Sequence, residues 1–306
     1  MSRIVVTAGE KFTDIDVLAC AISYNELLQK LGKNSICILP GELNKSVTPT
    51  IRSWELPHET KFKYPNADFV IVDISQPEHL AKFVVPERII ELYDHHFGYE
   101  KVWKKLTKGK IVIEPVGACT TLIWEKYEKN KMSKKISKLS ARLICYATVS
   151  NTLNFKSSVT NKRDIDAYHK VLKYADLKND WIGKYFSEQD KAVYKNPVKE
   201  IKNDTHVENF PNKDEKLIIG QLELWDSRNF VKDHKDDIEE ALISFGSENW
   251  FLTPPSISEG KNYIYTKSKK VQKLLMNKLP VTFTGDLGIT KKLFLRKEIK
   301  KIIYNY

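Results

Sequence analysis

The sequence of 306 residues holds only four cysteines, Cys20, Cys37, Cys119 and Cys145, and no two stand at the close spacing of a zinc motif. Each lies in or beside an apolar run, which argues against a disulfide framework and for reduced core thiols. No apolar run approaches the roughly 18–20 residues of a membrane span. The opening MSRIVVTAGE enters a strand pattern directly and lacks the look of a cleaved leader, so the expected location is cytoplasmic. Internal repeats and low-complexity tracts are missing, and so are a zinc finger, a helix-turn-helix pattern and the aromatic signature of an RNA-binding sheet. Those last absences matter because the net charge is +11. Residues 267–306 carry eleven Lys or Arg against Asp286 and Glu298, and so hold nine of the eleven excess charges. Such a segment suits phosphate ligands or solvated helix faces, and nucleic acid is not the expected partner.

Apolar periodicity supplies the architecture. RIVV, SICILP, DFVIVDIS and RIIELYDHH read as strands, and DIDVLACAISYNELLQKLG reads as an amphipathic helix ending at Gly32. Further helices are expected at 117–130, 136–150 and 161–175. Apolar strands alternating with helices imply an α/β unit with a largely parallel sheet flanked by helices. The polar stretch GKYFSEQDKAVYKNPVKEIKND contains Pro197 and is expected to hold a linker at 192–199. Beyond it KLIIGQLELWD, ENWFLTPPSI and KNYIYTKS read as strands, with helices near 233–245 and 267–278. The expected division is therefore a domain at 1–191 and a smaller C-terminal α/β domain at 200–306.

The acidic residues fall into this frame with a pattern. Asp14 and Asp16 lie after the first strand, Asp73 ends FVIVD, and Asp94, His95 and His96 end IIELYD. In a parallel sheet these strand ends point the same way. Carboxylates gathered in one cleft repel one another unless a cation compensates them, and carboxylate with imidazole suits Mn²⁺ or Mg²⁺. Taken singly, Asp14 also reads as a helix cap, Asp73 as a turn residue and His95 as a satisfied polar group.

The motifs TDIDVLACA, VDISQPE, YDHHFG, VGACTTLIWE and VSNTLNFKSSVTNKRD occur in the order and approximate spacing of the DHH phosphoesterase superfamily, which the chain resembles over nearly its whole length. IIGQLELWD and ITKKLFLRKEI resemble the C-terminal domain of family II, manganese-dependent inorganic pyrophosphatases and the related exopolyphosphatases; the glycine triplet of the other branch is missing. The resemblance implies two divalent cations, Mn²⁺ or Mg²⁺, with Asp14 on the first, Asp16 and His95 on the second and Asp73 bridging them. It further implies that His96 handles phosphate or a proton, that Asp94 orients the histidine pair, and that Lys291 and Lys292 hold phosphate. The implied reaction is hydrolysis of a phosphoanhydride, inorganic pyrophosphate or short polyphosphate, by hydroxide activated between the cations in an interdomain cleft. The implied assembly is a homodimer formed through the N-terminal domain.

Three positions depart from that pattern. Glu10 stands where the family has a histidine, Asn151 where it has a second-metal aspartate, and Glu208 where a phosphate-binding lysine is expected. The first two exchanges leave the number of carboxylates unchanged, and both residues offer oxygen ligands, so Glu10 is expected on the first cation and Asn151 on the second. Two alternatives stay open: a nucleotide phosphodiesterase of the same superfamily, and a non-catalytic phosphate-binding or interaction protein on this scaffold.

Overall fold

The computed structural model describes residues 2–211 and 213–304; Met1, Asn212, Asn305 and Tyr306, which fall in the two expected domains, lie outside the described residues. The chain divides into two compact units, Met1–Tyr185 and Phe186–Tyr306. In the first unit β1 (Ile4–Thr7) leads through the short β2 (Phe12–Thr13) to α1 (Ile15–Lys30) and β3 (Ser35–Cys37). The short β4 (Glu42–Leu43) pairs with β2 ahead of α2 (Pro49–Arg52). Next come β5 (Asp68–Val72), β6 (Ile89–Asp94), α3 (Glu100–Leu106) and β7 (Lys110–Ile113), and then α4 (Cys119–Lys129), α5 (Lys138–Asn151) and α6 (Lys162–Ala175), while α7 (Trp181–Lys195) begins in this unit and ends in the second.

The order β3-β1-β5-β6-β7 forms one parallel sheet flanked by helices, as the unbroken apolar strands require. Val5 and Val6 are both fully buried, although they point to opposite faces, because both faces are covered. On one face Val5, Phe69, Ile71, Leu92 and Trp103 share a core cluster. Helix α1 packs on β1, β3 and β5 and also on α4 and α5, which explains why its buried residues run almost continuously from Ile15 to Leu28. It stops where expected, with Gly32 taking a φ of 74° just past the end.

The second unit comprises α8 (Pro197–Asn203), β8 (Thr205–Asn209), β9 (Lys216–Gln221), α9 (Ser227–Asp233), α10 (Lys235–Ile243), β10 (Trp250–Thr253), β11 (Pro255–Ser256), β12 (Lys261–Tyr265), α11 (Lys269–Lys278), β13 (Val281–Thr284), β14 (Leu287–Thr290) and α12 (Arg296–Tyr304). Its mixed sheet runs β13-β14-β12-β10-β9-β8, with β11 beside β12. Strict alternation builds two cores. Ile218, Trp250, Leu252, Tyr263 and Tyr265 face one, whereas Leu217, Ile219, Phe251 and Ile264 face the other.

Residues 192–199, expected as a linker, are helical on both sides of Asn196. Pro197 opens α8 at the position where a missing N–H costs nothing, so it starts a helix there instead of marking a loop. Trp181, Tyr185, Phe186 and Val193 bury one side of α7, an amphipathic pattern masked by the polar residues between them. All four cysteines are free and buried. No helix among the described residues is long and apolar enough to cross a membrane.

Candidate metal centre

Two adjacent parallel strands, β5 and β6, deliver the heart of the site at their C-terminal ends. One ligand-type atom from each of Asp73, Asp94, His95 and His96 lies within 4.8 Å of all the others. Asp73 follows β5 with a φ of 54°, a left-handed conformation that costs a non-glycine residue roughly 1–2 kcal/mol. Its N–H donates to the Tyr93 carbonyl at 2.8 Å, which ties the turn to β6. The side chain is buried, and Oδ1 has no hydrogen-bond partner. Burial, together with the charges of Asp16 and Asp14, pushes the Asp73 carboxyl well above its ordinary range.

His95 is oriented by a backbone acceptor. Its Nδ1 lies 2.9 Å from the Val116 carbonyl and must donate there, which leaves Nε2 facing Asp73 Oδ1 at 3.4 Å. That separation is long for a hydrogen bond, and an imidazole nitrogen beside a carboxylate oxygen is a pair that would suit a divalent cation. Asp94 is fully buried, and its Oδ1 accepts from the His95 N–H at 2.7 Å and from His96 Nδ1 at 2.8 Å. Burial pushes the Asp94 carboxyl up, but the hydrogen bond and charge of His96 hold it net below its usual range. The same hydrogen bond raises His96 against the opposing effect of burial. The His96 side chain is 62% exposed, so Nε2 is open to a ligand or to solvent.

Asp14 caps α1: its Oδ1 accepts from the Asp16 and Val17 N–H groups at 3.0 and 2.9 Å. Burial and the Asp16 charge raise its carboxyl, and those two N–H groups oppose the rise. Asp16 is fully buried at the start of α4, whose own cap residue, Ala118, offers no side-chain acceptor. The N–H groups of Cys119 and Thr120 donate to Asp16 Oδ2 and Oδ1 at 2.7 and 3.0 Å, and Asn151 Nδ2 donates to Oδ2. Asn151 itself closes α5, and the residues after it, Leu153, Asn154 and Phe155, have φ of 48°, 53° and 62°. Three consecutive left-handed non-glycine residues are strained, and strain of this kind clusters at functional sites.

The remaining expected residues make contacts of their own. The Glu10 carboxylate accepts from the Lys82 N–H at 3.2 Å and pairs with Lys82 Nζ at 3.3 Å. Lys291 and Lys292 are exposed between β14 and α12, with Lys292 Nζ 4.9 Å from the centre of the Phe294 ring. Glu208 pairs with Lys300 of α12.

The sequence reasoning missed Asp164, a fully buried residue of α6. Its Oδ2 accepts from the Gly117 and Asn161 N–H groups, each at 2.9 Å, and its Oδ1 accepts from Thr121 Oγ1 at 2.7 Å. It thereby fixes the loop that carries the Val116 carbonyl and opens α4. Gly117 is needed there because a Cβ would lie 2.8 Å from both Asp164 Oδ2 and Thr152 Cγ2. The capping-box spacing Asn161 to Asp164 within TNKRD was the available signal. Ser75 and Trp103 were missed as well. Ser75 Oγ donates to the His96 carbonyl at 2.7 Å, and Trp103 Nε1 donates to the Ser75 carbonyl at 2.8 Å.

The parallel sheet flanked by helices, followed by a separate mixed-sheet unit, is a fold that the chain shares with solved structures of two-domain proteins. The solved structure of a candidate family II inorganic pyrophosphatase from Methanococcus jannaschii covers 99% of this chain and 100% of its own, with a TM-score of 0.63 at 22% identity. An exopolyphosphatase-related protein from Bacteroides fragilis covers 98% of this chain and 90% of its own, with a TM-score of 0.54 at 14% identity. In sequence, the chain is 29% identical over 277 residues to a probable manganese-dependent inorganic pyrophosphatase of Clostridium acetobutylicum, across 87% of this chain and 86% of that one. A protein of the same name from Bacillus velezensis is 26% identical, across 97% and 96%. No family model matches the chain. The resemblance to manganese-dependent inorganic pyrophosphatases drawn from the short motifs thus extends over whole sequences and to the fold.

Proposed function

We propose that the chain is a divalent-cation-dependent phosphohydrolase that cleaves a phosphoanhydride, inorganic pyrophosphate or a short polyphosphate. The observation that carries this reading is the pairing of Asp73 Oδ1, buried without a partner, with His95 Nε2, turned toward it by the Val116 carbonyl. A buried carboxylate without a partner is costly, and a cation shared with imidazole nitrogen offsets that cost. Asp73, His95 and Asp14 are the proposed ligands, and the acid-rich donor set fits Mn²⁺ or Mg²⁺. When bound, such a cation supplies Lewis acidity and a more acidic water.

The chain's own residues define the rest of the chemistry. Asp94 fixes His96 with the proton on Nδ1 and favours its charged form, so His96 Nε2 is suited to hold a phosphate oxygen or to donate a proton to a leaving one. Lys291 and Lys292 are the proposed binders of the remaining phosphate charge, each as a single point charge without the fork of arginine. A non-catalytic phosphate-binding role is the second reading, favoured by the commitment of Glu10 to Lys82 and of Glu208 to Lys300. Phosphate release from pyrophosphate, tripolyphosphate and a dinucleotide, each with Mn²⁺ and with Mg²⁺, separates the readings. Turnover of the first two supports the proposal, turnover of the dinucleotide alone points to a phosphodiesterase, and turnover of none supports the binding protein.

A further inference from the structure

We infer that this centre is built for one tightly held cation, because the hydrogen bond from Asn151 to Asp16 occupies the position that a second would need. The inference rests on the metal-dependent reading above and departs from the two cations that the motifs imply. A carboxylate offers about four lone-pair directions. Those of Asp16 already receive the Cys119 N–H, the Thr120 N–H and the Asn151 amide, with the Cys20 thiol 3.6 Å from Oδ1. The positive end of α4 compensates the Asp16 charge without help from a cation.

Asn151 is what makes this closure self-sufficient. Its Nδ2 is a donor aimed at Oδ2, whereas an aspartate there would set two carboxylates against each other and require a proton or a cation between them. The residue cannot swing away freely, since it lies at the end of α5 and is followed at once by the left-handed turn of Leu153 to Phe155. That turn is pinned by hydrogen bonds from the Asn154 N–H to the Val149 carbonyl at 2.8 Å and from the Ser157 N–H to the Thr152 carbonyl at 3.0 Å. Both carboxylate oxygens of Glu10 engage Lys82. Asp73 Oδ1 and His95 Nε2, 3.4 Å apart, are left as the ligand pair for one cation.

The test is the number of Mn²⁺ ions bound by the metal-stripped full chain, measured by calorimetric titration and by electron paramagnetic resonance. The wild type is expected to bind one ion per chain with the six-line spectrum of an isolated Mn²⁺. Asn151→Asp is expected to bind a second ion at least tenfold more tightly than the wild type does, with the broadened spectrum of a coupled pair. Two ions of comparable affinity in the wild type overturn the inference, and so does a folded Asn151→Asp protein that stays at one. Should that variant fail to fold, the wild-type stoichiometry and spectrum decide alone. Binding of no ion by the wild type overturns the metal-dependent reading itself, a different outcome from finding two.

Discussion

Replacing Asp73 with Asn should stabilise the metal-free protein while destroying its response to metal. The substitution keeps the shape, keeps the N–H bond to the Tyr93 carbonyl and suits the φ of 54°, which Asn tolerates better than most residues. It removes a buried carboxyl that lacks a partner on Oδ1 and is repelled by Asp16 and Asp14. Asn cannot ionise, and its amide N–H can donate to His95 Nε2 where a carboxylate cannot, so Asp73→Asn should recover about 1–3 kcal/mol and raise the melting midpoint of the metal-free protein by on the order of 5 °C. The gain has a definite pH dependence. A carboxyl whose folded pKa is raised destabilises the fold progressively as pH climbs from its ordinary value of 3.8 toward the folded one. The advantage of the variant is therefore smallest near pH 4 and grows as pH rises above it. Mn²⁺ at about 100 times its dissociation constant should stabilise the wild type by roughly 2.7 kcal/mol and leave the variant unmoved. Melting curves of both proteins, with chelator and with Mn²⁺, read all of these effects. A metal-free variant less stable than the wild type, or one that keeps the Mn²⁺ shift, would show that Asp73 is not a strained ligand awaiting a cation.

Gly117→Ala should destabilise the fold by about 1–3 kcal/mol and weaken Mn²⁺ binding, because its Cβ strikes Asp164 Oδ2 and Thr152 Cγ2 and displaces the neighbouring Val116 carbonyl; melting and metal titration check both effects. Asp164→Ala should cost more, about 3–6 kcal/mol, since three donors lose a buried acceptor together, and urea denaturation measures it. Asp94→Asn removes the charge that raises His96, so the alkaline limb of the pH profile of kcat/KM should move to lower pH, whereas an unmoved limb would take His96 out of proton handling. Lys291→Ala and Lys292→Ala should each raise KM for pyrophosphate about tenfold or more with the fold intact, and an unchanged KM would remove that lysine from substrate binding.

The parts of the fold that were legible in the sequence are those where burial imposes a simple period. The strands of the parallel sheet are covered on both faces and read as unbroken apolar runs, so their ends, and with them Asp73, Asp94, His95 and His96, could be placed together. Helix α7 was not legible because its buried residues are spread among polar ones, and the proline after it suggested a break where it starts a helix. The partners of the site residues were hidden for a different reason. Lys82 lies 72 residues from Glu10, and Asn151 lies 135 from Asp16, so no local pattern announces either contact. Asn151 was read as an oxygen ligand because its chemistry permits that; only the position of its amide nitrogen against Asp16 shows it acting as a donor.

Phosphate release from pyrophosphate by chelator-treated wild-type protein, before and after Mn²⁺ is restored and beside Asp73→Asn, addresses the proposed activity most directly. No turnover is expected without the cation, turnover once it is restored, and none in the variant under either condition. Turnover that survives chelation, turnover by Asp73→Asn, or wild-type protein that stays inactive with Mn²⁺ and with Mg²⁺ would contradict the proposal.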